Sequence, residues 1–163
     1  MQFNEEQIEK LRGIFAENDI DKNGRLSEPE LRKFLSEYDI DESFAPALLR
    51  IFVGSDKSKG DVVNGVSFEN LLEFFNVLIS GNIKDFFRML FNAMDTNNDG
   101  GIDVNDLISF SGLVGDKLTD EDANDIIEQC DLNKDGKVQF EDFWRWYCST
   151  HPNESVWFLY DNF

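Results

Sequence analysis

The stretch DLNKDGKVQFED, Asp131–Asp142, carries oxygen-bearing side chains at its first, third and fifth positions, a glycine at its sixth and an acid at its twelfth. Alternate side chains of a tight turn can converge on one point, and glycine supplies the backbone freedom that such a turn needs. Six to eight oxygens at about 2.3–2.6 Å suit a hard divalent cation. The twelfth residue is Asp142, shorter by a methylene than glutamate, so the choice of cation turns on how far that side chain reaches.

The same frame occurs three times. DIDKNG begins at Asp19, DTNNDG at Asp95 and DLNKDG at Asp131; an aliphatic residue follows each glycine by two positions (Leu26, Ile102, Val138), and an acid follows four later (Glu30, Asp106, Asp142). Three in-frame copies are not what general acidity produces. The flanks repeat at helical spacing. Ile8, Leu11 and Phe15 follow a capping signal at Asn4 and Gln7, and Leu31, Phe34 and Leu35 follow the first loop. Phe86, Phe87, Leu90 and Phe91 precede the middle copy, with Leu107, Ile108 and Phe110 after it. Ala123, Ile126 and Ile127, behind a cap at Thr119, precede the last, with Phe143, Trp144 and Tyr147 after it. Each copy therefore reads as helix, loop, helix.

On these residues the chain resembles the EF-hand calcium-binding family, in its calmodulin-like group, over nearly its whole length. The resemblance implies an all-α fold of two EF-hand pairs, in which the eighth loop positions of neighbouring hands pair as short antiparallel strands. From Val138 back to Ile102 is 36 residues, and the same step back lands on Val66. VSFENLLEFF, Val66–Phe75, is thus expected to end a second loop and begin its exit helix. In that frame Lys59 stands first, Val63 fifth and Asn70 twelfth, and the spacing from Leu26 to Val66 is 40 residues. The second loop reads as expanded by about four residues and degenerate. The rival is an expanded loop ligated by Asp56 and Asp61. The expected pairs span residues 1–80 and 82–150, divided near Ser80-Gly81-Asn82, with a C-terminal helix within 151–163.

The resemblance also assigns ligands. The first hand would use Asp19, Asp21, Asn23, the Arg25 carbonyl and Glu30, with a water near Ser27. The third would use Asp95, Asn97, Asp99, the Gly101 carbonyl and Asp106, with Asp103 as a further acid. The fourth would use Asp131, Asn133, Asp135, the Lys137 carbonyl and Asp142, with Gln139 near a water. Three calcium sites are expected. Glutamate at the twelfth position can give both oxygens, whereas a shorter aspartate that gives one favours the near-octahedral shell of magnesium, so magnesium should compete in hands three and four. Alternatively the exit helices move inward and aspartate still binds through both oxygens.

Aspartate and glutamate number 33 against 15 lysines and arginines, a formal charge of -18. Such a surface disfavours nucleic acid and anionic lipid and favours basic partners. No run reaches the ~18 apolar residues of a membrane span, MQFNEEQ lacks the order of a secretory signal, and Gln2 excludes N-terminal myristoylation, which together predict a cytoplasmic protein without a membrane anchor. Cys130 and Cys148 read as reduced thiols. His151 and the cysteines lack the neighbours of an activated nucleophile, so no enzyme is expected. The expected function is a calcium sensor that controls a protein target through a basic amphipathic helix; the alternatives are a calcium/magnesium buffer or a constitutive light-chain-like subunit. Sixteen phenylalanines against three methionines suit a dedicated partner better than a promiscuous one. In the tail, Val156, Leu159, Tyr160 and Phe163 form an apolar helical face beside Trp157, expected to dock on the chain's own C-terminal pair or to meet a partner or second copy.

Overall fold

Asn4 starts the first helix, α1 (Glu5–Asn18): its side chain accepts the Gln7 amide at 2.9 Å, and the Gln7 side chain accepts the Asn4 amide at 3.0 Å. Two donors that a helix end leaves unpaired are thereby satisfied. The computed structural model describes residues 3–37, 39, 41–53, 65–115 and 117–150, and the chain divides into two compact units, Met1–Ala93 and Met94–Phe163.

In the first unit α1 is followed by β1 (Arg25–Leu26), α2 (Glu28–Glu37), a 3-10 turn at Glu42–Phe44, α3 (Ala45–Val53), β2 (Val66–Ser67), α4 (Phe68–Ser80) and α5 (Ile83–Met94) as far as Ala93. Strands β1 and β2 run antiparallel with Leu26 opposite Val66 and Arg25 opposite Ser67. The pairing expected from the 36-residue step is therefore present, and both aliphatic partners are buried. Helix α2 packs on α1 and α3, and α4 on the same two. Phe15 meets Phe68 edge-on at 5.7 Å and Phe52 meets Phe74 at 4.7 Å, arrangements that add to simple area burial. The Arg12 guanidinium lies 4.2 Å from the Phe68 ring centre.

Helix α4 stops at Ser80 because Gly81 turns left-handed, with φ of 70°, as a helix-ending glycine can without steric cost. Although the sequence repeat changes over at this point, α5 belongs to the first unit up to Ala93. Phe86 on α5 lies 6.4 Å from Phe74, and the Arg50 side chain of α3 donates to the Ala93 carbonyl in the last turn of α5.

The second unit holds α6 (Val104–Leu113), α7 (Asp120–Cys130) and α8 (Phe140–Thr150), with α7 packed on both others. Ile102 and Val138 exchange two amide-to-carbonyl bonds of 2.9 Å and are buried. Thr119 caps α7 reciprocally with Asp122. The fold is thus mostly helical, with one two-stranded antiparallel sheet and one bridge among the described residues. Asp56, Lys59, Asp61 and Val63 lie outside the described residues, as does the tail with Val156, Trp157, Leu159, Tyr160 and Phe163.

Gly65 has φ of 78°, and a Cβ there would stand 2.4 Å from the Leu26 carbonyl oxygen. Gly65→Ala should destabilise the first unit by about 1–3 kcal/mol. Gly13→Ala, in a helix with nothing within 4 Å of the new Cβ, should stabilise it by about 0.5–1 kcal/mol. Chemical unfolding in chelator measures both.

Candidate metal centre

The three loops of the repeat share one backbone. Their fourth residues, Lys22, Asn98 and Lys134, have φ of 58°, 56° and 59°, and their sixth, Gly24, Gly100 and Gly136, have 81°, 93° and 85°. What imposes the shape is the first aspartate. Asp19 accepts the Asn23 amide at 3.0 Å and the Gly24 amide at 2.8 Å. Asp95 accepts Asp99 and Gly100 at 3.1 and 2.9 Å, and Asp131 accepts Asp135 and Gly136 at 3.3 and 2.7 Å. The third side chain takes the fifth amide as well: Asp21 from Asn23 at 3.1 Å, Asn97 from Asp99 at 2.9 Å and Asn133 from Asp135 at 3.1 Å. The fifth side chain takes the seventh amide, at 2.8 Å for Asn23 and Arg25, 3.1 Å for Asp99 and Gly101 and 3.0 Å for Asp135 and Lys137. Each loop thus winds about the side chains assigned as ligands.

The closing acids differ. Glu30, buried at the start of α2, reaches back to the Ile20 amide at 2.8 Å and the Asp21 amide at 3.4 Å, and also accepts the Ser27 amide at 2.8 Å and hydroxyl at 2.6 Å. Burial pushes its pKa up, but these bonds, led by the Ser27 hydroxyl, outweigh burial and hold it below the ordinary 4.5. Asp106, also buried, accepts the Thr96 amide at 2.9 Å and the Thr96 hydroxyl, and the Asp103 amide at 3.1 Å. Asp103 in turn caps α6 by accepting the Asp106 amide at 3.0 Å. Asp142 is half-buried, and among the described residues its carboxylate accepts no hydrogen bond. Gln139 bonds Asp135 at 3.0 Å and Asn133 at 3.3 Å instead.

Among the described residues, the carboxylates of Asp19, Asp21 and Glu30 bring ligand oxygens within 4.8 Å of one another, and the acids of the third and fourth loops form no such group. An all-oxygen cluster on one loop fits a hard cation. Asn70, twelfth in the second frame, is buried and shares one bond with Glu30: the Ser67 hydroxyl donates to its side-chain oxygen at 2.8 Å, and its own backbone amide donates to that hydroxyl at 3.2 Å. It does so without a carboxylate.

Lys137 donates its ammonium to Asp99 of the third loop. This bond, foremost, and the Gly101 amide lower the pKa of Asp99, and the same pair raises that of Lys137. Spacing in one dimension gave no sign of this side-chain contact, although it gave the strand pairing of the two loops. A lysine that reaches an acid one loop away, past a glycine, is a signal visible only once the register of the two loops is known. Burial raises the Cys130 thiol to about 11, which leaves it a weak nucleophile.

The family described as "EF-hand domain pair" matches residues 84–148, and that described as "EF hand" matches residues 11–35. The chain is 31% identical to the calcineurin B protein of Yarrowia lipolytica over 86% of its own length and 80% of that protein's. It is 29% identical to the calcineurin B protein of Schizosaccharomyces pombe, with the same 86% and 80% covered. A calmodulin-like protein of Oryza sativa subsp. japonica is 24% identical over 94% of this chain and 95% of its own.

Glu30→Gln should weaken calcium binding at the first loop by at least about 10- to 100-fold, the loss that follows when even an indirect partner of a ligand is removed; calorimetry reads it. In chelator, the lowered Glu30 pKa means that its bonds stabilise the fold above the ordinary 4.5 and are lost as pH falls through the lower folded value. Ser27→Ala should move the Glu30 titration up toward 4.5, followed by carboxyl NMR.

Proposed function

The chain belongs to the EF-hand family of calcium-binding proteins, and we propose that it is a calcium sensor that couples cation binding to control of a protein target. The observation that carries this reading is the convergence of Asp19, Asp21 and Glu30 within 4.8 Å. In this reading the chain has four hands, the second without a cation. Asp19, Asp21, Asn23, the Arg25 carbonyl and Glu30 hold one ion. Asp95, Asn97, Asp99, the Gly101 carbonyl and Asp106 hold another, and Asp131, Asn133, Asp135, the Lys137 carbonyl and Asp142 a third. Glu30 lies in the first turn of α2 while bonded to amides that follow α1, so a shift of its carboxylate onto an ion would move one helix against the other. The net charge of -18 supports a basic amphipathic helix as target, in the cytoplasm, and the carboxylates have this binding role rather than a catalytic one.

The aspartates that close the third and fourth loops favour a second reading, a calcium/magnesium buffer, for that half of the chain. Asp142 is the better magnesium candidate of the two, because Asp106 already reaches back across its loop to Thr96 and Asp142 makes no such bond among the described residues.

Calorimetry at saturating calcium should count three ions per chain; two or four would mean that a loop has been misread. Calcium should also raise the fluorescence of a hydrophobic dye, and a dye signal that calcium leaves unchanged would favour the buffer or a constitutive subunit. Asp142→Glu should shift the fourth loop toward calcium more than Asp106→Glu shifts the third, given a range of about 10⁻⁷–10⁻⁵ M for sensor sites. Calcium titrations with and without millimolar magnesium compare them.

A further inference from the structure

Lys137 occupies the seventh position of the fourth loop, a position assigned a ligand role only through its carbonyl, and its side chain crosses to the third loop. The residue it crosses is Gly101, seventh in that loop. A Cβ on Gly101 would meet Lys137 Cβ at 3.2 Å and Cδ at 3.3 Å, so the absence of a side chain there gives the lysine stem its path. The antiparallel bridge between Ile102 and Val138, one residue further along both loops, places Gly101 and Lys137 diagonally across the pair, where the missing side chain leaves room for the lysine stem. At the end of the path the ammonium bonds to Asp99.

The first unit has the same construction with a different outcome. Arg25, seventh in the first loop, reaches across to Gly65, seventh in the second frame, and donates to its carbonyl at 3.1 Å. The fifth residue of that frame is Val63, which offers no charge. In the second unit the corresponding residue is Asp99, and the cation finds a carboxylate.

We propose that Lys137 is a tethered cation that competes with calcium for the third loop. Asp99 is claimed by both, so the third site binds by exchange against an ammonium and is weaker for calcium than its oxygens would otherwise make it. The inference rests on Asp99 being a third-loop ligand, as proposed above. Lys137 also joins the two loops, its carbonyl belonging to one and its charge to the other. The side chains of the pair are 41% and 37% exposed, so the competition is moderate and screened by salt. Lys134, exposed in the same loop, makes no ion pair among the described residues and provides a control of equal charge.

The test is a calcium titration of the full chain followed by NMR at the amides of Gly24, Gly100 and Gly136, each of which donates to the first aspartate of its own loop. Lys137→Gln should lower the calcium concentration that half-saturates Gly100 by about two- to fivefold and leave Gly24 in place, with Lys134→Gln moving Gly100 less. The gap between the variants should close near 1 M salt, where screening acts within about 3 Å. Equal shifts in the two variants, or weaker binding at Gly100 in Lys137→Gln, would overturn the proposal. A Gly100 amide in the unaltered chain that ignores calcium would overturn the ligand assignment itself, and the competition with it.

Discussion

The buried first aspartate of each loop is the constraint from which the rest of the chain's geometry follows. Asp19, Asp95 and Asp131 are 8%, 2% and 7% exposed, and removing a carboxylate from water is costly unless it is well bonded. Each is bonded to two consecutive backbone amides, and hydrogen bonds to an ionised acceptor are the strong kind. Two amides can face one carboxylate only if the chain folds back on itself, which sets the left-handed residues at the fourth and sixth positions. The Asp19 and Asp131 amides also donate to Phe15 and Ile127 at 2.9 and 2.7 Å, so the residue that starts the loop also ends the helix. The third and fifth side chains point inward because the first aspartate has already determined the turn.

The twelfth residue acts at the other end as a lever between loop and exit helix. Glutamate is long enough to span the loop, and Glu30 bonds two amides beyond the entering helix. Aspartate spans it with help: Thr96 offers both its amide and its hydroxyl to Asp106, where the first and fourth loops carry Ile20 and Leu132 and have no hydroxyl to give. Asp142 has neither length nor a hydroxyl opposite. The three loops therefore form a graded series in how firmly the exit helix is tied to the loop, with the second residue as important as the twelfth. A sequence reading that treats both aspartates alike misses this, because the second position is not a ligand.

What was legible in the sequence was whatever repeats. The loop frame, the aliphatic pairs Leu26–Val66 and Ile102–Val138 and the caps at Asn4 and Thr119 all depend on spacing along one segment. What was not legible depends on packing between segments. Lys22 and Lys134 do not advertise a left-handed backbone, since lysine has no preference for it; the first aspartate imposes it. Asp103 reads as a further acid by position, and its side chain caps α6, which the spacing did not indicate. Helix α5 reads as the start of the second pair, and its contacts with α4 and α3 through Phe86 and Ala93 follow from packing alone. The bond from Lys137 to Asp99 joins residues of two loops whose register was predictable but whose side-chain paths were not.

The second loop follows from the same separation of roles. Its strand pairs with β1 through backbone bonds and through the burial of Leu26 against Val66, neither of which uses a ligand oxygen. Ser67 and Asn70 keep the hydroxyl-to-side-chain bond of Ser27 and Glu30 with an amide oxygen in place of the carboxylate. Gly65 lets the backbone pass close to the Leu26 carbonyl, where a side chain would collide. The elements needed to support a neighbouring hand are therefore distinct from those needed to hold an ion. With Asn70 where the repeat frame places an acid, the segment that opens α4 still completes the buried pair of Leu26 and Val66, because that pair depends on backbone bonds and apolar burial alone.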